Sequence, residues 1–522
     1  MKIRLALLAL CLLCGLQSTI YGQQLSENSE FRIQNSSFQL ATPRKEIRHI
    51  ITTDASQVEA DNAMQRASGE YIMAEFPTMG EIKGVVILAA FSDVPFSTDT
   101  IGTLLSKRYN ADGYTEEINF IEYSEVYGKE LGLQAIIPGS AKDYFREQSL
   151  GKFIPSFDVI GPVTLDNPRS YYGANKNNGS DKNTSGMISD ACKKAYNMGL
   201  TDFSDYDNDG DGIVDIVYVV YAGSDEAQTG YEECIWAKAS KLSSLLTLGD
   251  MKISRYACSG ELVIDLPVVA GIGTFVHEFS HVLGLPDFYN TKADDFTMDV
   301  WSVMDYGMYN AEGFVPCAYT AFERYSLGWI PMYTLDMPDT MEIGTTNEEE
   351  RGYRIFTSTT AADTASFYLI ETIRKEGWNS WAPTEGLLIS EVTYDSTAWK
   401  GNTVNADTMH RHCIVPANND YSYTTANKHL FGREKHEFTK SSTPPSKTQF
   451  GIEMDKPLTN ISYNKDTGKT SFLFCGGNST DGITEIRNQE SEIGNIYDLQ
   501  GRMVENPSKG IYIRNGKKVV IK

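Results

Sequence analysis

Histidine is scarce in this chain, seven residues in 522, yet two stand four apart in HEFSHVLGLPD, residues 277–287. On a helix that spacing puts His277 and His281 one turn apart on a single face, where two imidazoles can share a cation. Glu278 lies on the adjoining surface, where a carboxylate reaches a water beside that cation without being a ligand. Gly284 permits a sharp left-handed exit from the helix, and Pro286 stiffens the run that delivers Asp287 as a third donor. Two neutral imidazoles and one carboxylate suit zinc and leave a fourth position open, as a catalytic rather than a structural site requires. The competing reading is two histidines on the core side of an ordinary helix. An accidental HExxH is expected on the order of 1% of the time in a chain with so few histidines, and the added Gly and Asp lower that roughly a hundredfold.

The elements that must hold these residues follow from periodicity. The apolar pattern PVVAGIGTFVHEFSHVLGL predicts a helix from Pro267 to Gly284. GVVILAAFSDVPF (84–96) and IVDIVYVVYAG (213–223) read as buried strands, SAKDYFREQSLGKF and SGMISDACKKAYNMGL as helices, and FDVIGPVTL as a pair of strands. Strands alternating with helices predict an α/β or α+β domain over 80–335 with a central mixed sheet and the metal-site helix. From 336 to 478 short strands (YRIFTS, SFYLIETI, GLLISEVTY, HCIVPA, TSFLFC) separated by Gly, Asn, Asp and Thr predict an all-β, sandwich-like module. A small β unit follows over 479–522.

A second cation site is suggested by DYDNDGDGIVD, 205–215. Asp207, Asp209 and Asp211 alternate, Gly212 supplies the bend, and Asp215 stands at position 9 of a calcium loop. The glutamate expected at position 12 is replaced by Tyr218, so Asp215 would substitute, directly or through water. Carboxylates this close repel one another without a cation, which favours structural calcium over a solvated acidic turn.

Lys and Arg total 46 against 69 Asp and Glu, a net charge of -23 that repels polyphosphate and anionic lipid. Nucleic acid is therefore not an expected partner. Residues 1–22 read as a cleaved signal peptide; Cys14 follows leucine, which disfavours lipid anchoring, and no other run is long and apolar enough to span a bilayer. Residues 23–79 read as a prosegment or lead-in arm. It has no cysteine to cap a metal, and its Asp54 and Asp61 read as solvated rather than capping. Six cysteines remain after the signal; Cys234 and Cys258 could pair across a hairpin-sized segment, with buried free thiols the equal alternative. His410, His412, His429 and His436 read as surface or loop histidines rather than a second metal site.

HEFSHVLGLPD resembles the HExxHxxGxxH/D signature of metzincin metallopeptidases, and the aspartate variant followed by DFYN is similar to the immune inhibitor A family, peptidase family M6. DVWSVMDYG (299–307) resembles that clan's methionine turn, with Met304 beneath the metal and Tyr306 where some members hold a tyrosine that hydrogen-bonds the tetrahedral intermediate. ILAAFSDVPF, GSAKDYFREQSLGKFIPSFDVIGPVTL and CAYTAFERYSLGWI extend the resemblance over 80–335, and FYLIETIRKEGWNSWAPTEGLLISEV resembles the β segment that follows. The last strands resemble C-terminal sorting tails of type IX secretion, which implies recognition by an export machinery. The resemblance implies a monomeric zinc endopeptidase, secreted, surface-bound or periplasmic. Its substrate would be a polypeptide lying along a sheet edge, for which KISRYACSGEL (252–262) is the candidate. Glu278 would act as general base and Tyr306 as helper. The rival reading is a secreted calcium-dependent adhesin with a relict zinc site.

Overall fold

The computed structural model describes residues 77–477 apart from 125–128, 178, 265 and 358–365, together with short strands beyond 477. The expected signal peptide, most of the arm with Asp54 and Asp61, and most of the tail lie outside the described residues.

The first layer is a mainly parallel sheet in the order β4-β1-β6-β8-β5, with β7 pairing β8 from its other side. Its strands are β1 (Gly80–Ala90), β4 (Phe153–Thr164), β5 (Ile213–Val214), β6 (Val217–Ser224), β7 (Lys238–Leu248) and β8 (Met251–Leu262). β1 shows why the run is apolar without alternation. Val85, Ile87 and Ala89 join a core under one face, while Val86 and Leu88 join a core under the other. A central parallel strand buries both faces. The first core is closed by helix α3 (Thr184–Asn197) through Met187, Ile188, Ala191 and Ala195. The opposite face carries α1 (Ile101–Asn110), α2 (Ala141–Gln148) and the histidine-bearing helix α4 (Gly273–Leu283). A hairpin of β2 (Glu116–Ser124) and β3 (Lys129–Ile137) packs beside them.

Two expectations change here. FDVIGPVTL is one stretch of a single strand, β4, parallel to β1, with a register slip at Gly161 (φ 100°) instead of a turn. KISRYACSGEL is not an edge: β8 is flanked by β6 and β5 on one side and by antiparallel β7 on the other. Among the described residues β7 pairs only with β8, as β4 does only with β1, so β7 is the edge on this side of β8 and β4 the edge at the other end. The antiparallel pairing of β7 with the following β8 is not legible as an edge, because KASKLSSLLTL lacks the apolar run that marked the other strands.

The second region contains a five-stranded sheet, β14-β13-β12-β11-β9, and a three-stranded sheet, β10-β16-β15. The strands are β9 (Met332–Thr334), β10 (Asp339–Ile343), β11 (Gly352–Phe356), β12 (Ser366–Ile373), β13 (Gly386–Thr393), β14 (His412–Ile414), β15 (Leu458–Asn464) and β16 (Lys469–Phe474). Tyr368, Ile370, Leu387, Ile389, Phe472 and Phe474 fill the space between the two sheets. The alternate residues Phe367, Leu369, Leu388 and Val392 belong instead to the core of α4 and of helix α5 (Ala321–Ser326). The hydrophobic core thus runs across residue 335. Beyond 477, Thr484–Glu485, Ile496–Tyr497, Gly510–Arg514 and Lys517–Ile521 form a small separate sheet.

The Cys234–Cys258 bridge is not formed. All six cysteines among the described residues are free; Cys258 sits mid-strand in β8 with Sγ 4.0 Å from the Trp236 carbonyl, and Cys234 is buried in the loop before β7. Of the histidines read as surface or loop residues, three are inside and His436 is exposed. His410, His412 and His429 are buried, His412 between the rings of Phe288 and Phe322, and His436 is held by the Ile461 carbonyl.

Candidate metal centre

Helix α4 begins at Gly273, six residues later than the apolar pattern suggested. After β8 the chain turns back on the strand's end instead: Val263 N–H bonds to the Val268 carbonyl and Ala270 N–H to that of Glu261. The Val269 and Ala270 carbonyls, which a longer helix would use, accept from the Arg108 guanidinium at 2.8 and 2.7 Å. Within the helix, Phe275 and Phe279 anchor the core side. Phe275 stacks on Tyr109 at 4.2 Å and meets Phe157 edge-on at 4.9 Å, while Phe279 meets Phe157 at 5.2 Å. Each such ring contributes about 1.5–3 kcal/mol by burial, so the helix axis is fixed by residues other than its histidines. At the other end Gly284 takes φ 107°; its N–H reaches the His281 carbonyl, and Leu285 N–H reaches that of Ser280. The chain then reverses and brings Asp287 back over the helix.

The three predicted donors converge. His277 Nε2 and His281 Nε2 lie 3.3 and 3.1 Å from Asp287 Oδ1, and the imidazoles stand 4.8 Å apart at 81°. Each Nδ1 faces a carbonyl oxygen, Val303 for His277 at 2.8 Å and Leu285 for His281 at 2.7 Å. A carbonyl can only accept, so the proton sits on Nδ1 and Nε2 is left to present a lone pair, the tautomer a metal ligand needs. With both protons on Nδ1, neither imidazole donates to the buried Asp287 Oδ1, which is then an acceptor with no donor. Two nitrogen lone pairs and a carboxylate oxygen aimed at one point are repulsive unless a cation lies among them, and the donor set fits zinc.

A proton is the other species that could serve this geometry. Burial depresses His281, but the Asp287 charge and hydrogen bond outweigh it and lift the imidazole to about 9. Burial likewise opposes ionisation of Asp287, and the charge on His281 with the hydrogen bonds from both histidines holds that carboxyl far below the carboxylate range. Cation and proton therefore compete for the same lone pairs.

Glu278 is 5% exposed, and burial raises its carboxyl above the ordinary range against the opposing charges of His277, His281 and Lys238. Met304 is fully buried, its carbonyl accepts from Phe288 N–H at 2.7 Å, and the preceding carbonyl holds His277. The methionine segment therefore ties the helix to the ligand loop. Tyr306 is buried at the start of a short 3-10 segment, with its ring 6.2 Å from that of Tyr309. A second phenol, Tyr289, was not anticipated although it lies only two residues past Asp287. Burial, then the charges of Asp287 and Glu278, push it well above its usual value.

A further unanticipated contact comes from Asn402, which follows helix α6 (Ser396–Lys400). Its Oδ1 accepts from Asp287 N–H at 2.6 Å, and its Nδ2 donates to Asp287 Oδ2 at 2.7 Å. Nothing in the sequence near residue 402 marks it, since the partners are 115 positions apart.

In the acidic loop, carboxylate oxygens of Asp207, Asp209 and Asp211 lie within 4.8 Å of one another. Asp207 also accepts from the N–H groups of Gly210, Asp211 and Gly212. Asp215 is placed apart from this group: its Oδ2 accepts from Asn208 N–H at 2.8 Å and from Asn208 Nδ2 at 2.7 Å. It braces the loop where the chain passes from β5 to β6.

Residues 76–330 match the catalytic domain of the immune inhibitor A peptidase M6 family. Fold and site thus define a class, and over that segment the chain resembles the M6 metallopeptidases. Over 228 residues it is 29% identical to Immune inhibitor A of Bacillus thuringiensis subsp. alesti, a match covering 37% of this chain and 32% of that protein. Over 276 residues it is 24% identical to the pre-pro-metalloprotease PrtV of Vibrio cholerae serotype O1, covering 47% of this chain and 29% of that one. The chain spans less than a third of the length of either relative. Among the described residues no helix is long and apolar enough to cross a membrane.

Proposed function

We propose that this protein is a metzincin-type, zinc-dependent endopeptidase. The observation that carries the reading is the convergence of His277, His281 and Asp287 on one point beside a buried Glu278, within the segment that matches a metallopeptidase domain. His277, His281 and Asp287 would hold the metal, which when bound supplies Lewis acidity toward a water and the scissile carbonyl. Glu278 takes the proton from the attacking water and returns it to the leaving amine; its burial strengthens it as a base. Tyr306 is the candidate donor to the developing oxyanion. Met304 packs beneath the ligands, and Gly284 permits the reversal that presents Asp287. An extended substrate backbone fits the edge of β7, a strand that among the described residues pairs only with β8.

The reading extends to structural calcium at Asp207, Asp209 and Asp211, with Asp215 bracing the loop instead of ligating. It extends also to secretion directed by residues 1–22 and to recognition of the C-terminal tail by an export machinery. The decisive comparison is the wild type against Glu278→Ala, with metal content and hydrolysis of a denatured protein measured on the same preparations. The expected result is one zinc per chain in both, and cleavage by the wild type only, reduced at least 10²-fold in the variant. Equal cleavage by the two proteins would remove Glu278 from the mechanism. Absence of zinc from the wild type would remove the mechanism itself and leave the calcium-dependent binding protein as the reading to pursue.

A further inference from the structure

The segment that matches the metallopeptidase family ends at residue 330, yet the carboxylate of the metal-site aspartate is gripped by a residue 72 positions beyond that end. We infer that Asn402 is a positioning residue of the metal centre, so that the β-rich region completes the site instead of only following it; this rests on the zinc reading above.

The geometry is a two-point clamp. Asn402 Oδ1 accepts from the Asp287 main chain at 2.6 Å and Nδ2 donates to Oδ2 of the same residue at 2.7 Å, which fixes both the backbone and the carboxylate plane. With Oδ2 engaged, Oδ1 alone is turned toward the imidazoles of His277 and His281. Asp287 then offers a single oxygen, and the fourth position is not taken by a bidentate carboxylate. The amide is neutral, so it orients the ligand without competing with the cation for its charge.

The clamp is itself held. Asn402 has φ 51°, a conformation that asparagine tolerates better than other side-chain-bearing residues, and it ends α6 with its N–H on the Trp399 carbonyl. Trp399 packs on the ring of Phe288, the neighbour of Asp287, at 5.8 Å. Three residues on, Asn405 Nδ2 donates to the Phe288 carbonyl at 2.7 Å and to that of His412 in β14 at 2.6 Å. The ligand loop is therefore seized by the methionine segment from one side and by residues 399–405 from the other. A residue with only a structural role could have joined the two regions anywhere along their shared core; this one closes on the ligand itself.

The experiment uses the full chain with Asn402→Gly, Asn402→Asp and Asp287→Ala. Zinc affinity is measured by competition with a chromogenic chelator, and melting is measured on the metal-free proteins. Glycine keeps the positive-φ backbone and removes both side-chain contacts; aspartate keeps the shape and replaces the donor by an oxygen facing Oδ2. The expected result is a 10- to 100-fold loss of zinc affinity in both Asn402 variants with metal-free melting close to wild type, and a larger loss for Asp287→Ala. If Asp287→Ala weakens zinc while the Asn402 variants bind within twofold of wild type, the clamp is refuted and the metal reading stands. If Asp287→Ala leaves zinc binding unchanged, the metal reading fails first. If Asn402→Gly loses affinity only in step with its metal-free fold, Asn402 is a fold contact and not a positioning residue.

Discussion

At the scale of single residues, the site depends on groups whose charge states are set by burial. Glu278 is the clearest case: desolvation raises its carboxyl, while the charges of His277, His281 and Lys238 pull it down. Lys238, on the open-edge strand β7, pairs with the buried Asp181 at 3.0 Å. Replacing it by methionine removes a cation and leaves a buried carboxylate without it, and both changes disfavour the charged form of Glu278. The base form is then lost at a higher pH as the solution is acidified. For Lys238→Met, the acid limb of the kcat/KM profile is expected to move to higher pH, a direction that bound zinc does not reverse because it acts on both proteins alike. A limb that stays in place or moves to lower pH would show that Lys238 does not set the protonation of the base. The residues nearest this chemistry were legible because an HExxH helix places three groups by spacing alone and Asp287 follows within one reversal. Asn402 and Lys238 were not, since a contact between distant segments leaves no periodic trace in either.

At the scale of elements, helix α4 shows where pattern reading fails and why. Its apolar periodicity runs back to Pro267, but Arg108, brought from α1, captures the carbonyls that would have begun the extra turns. Periodicity reports which face is buried, not which donors compete for the backbone. The same helix yields a prediction opposite in sign to intrinsic propensity. Gly273 opens α4, and alanine there would ordinarily stabilise a helix by up to about 1 kcal/mol. In this fold a Cβ at residue 273 would collide with the Met308 carbonyl oxygen and come within 2.9 Å of that of Gly313. Backbone atoms cannot step aside as a flexible side chain can, so Gly273→Ala is expected to destabilise by at least about 1–3 kcal/mol. Chemical denaturation of the variant against wild type measures this, and a stabilised Gly273→Ala would mean that the helix start and the following 3-10 segment are not packed as closely as described. Strand identities fared better than strand neighbours. The continuous apolar runs of β1 and β6 announced burial on two faces, whereas the order of β7 and β8, and so which of the two forms an edge, depends on a hairpin that composition does not disclose.

At the scale of the whole molecule, one core joins the parallel sheet to the five-stranded sheet, and a buried polar group lies within the join. SFYLIETI carried a sign of this in its four consecutive apolar residues, FYLI, which require cover on both faces of β12, but a sequence cannot say what the second cover is. His412 sits in this seam, 1% exposed, against Phe288 at 4.6 Å and Phe322 at 4.9 Å, with Nδ1 on the Glu391 carbonyl and Nε2 without a partner. Burial lowers it to about 4 from an ordinary 6.5, against the smaller pull of that carbonyl. The folded protein thus resists a proton that the unfolded chain accepts. Between pH 6.5 and 4 the unfolded state binds more protons at this residue, so stability is full above the upper value and falls on acidification, by about 3 kcal/mol at pH 4. Buried Glu391 and Glu371, both raised to about 7, act with the opposite sign, losing stability as pH rises through that value, and they are present in wild type and variant alike. The difference between wild type and His412→Phe therefore isolates the histidine. The wild-type unfolding free energy is expected to decline relative to the variant as pH drops from 6.5 to 4, with the gap closing near neutrality. Curves that stay parallel across that window would mean that His412 takes its proton without opening the seam, and that the two sheets are not bound as one cooperative body.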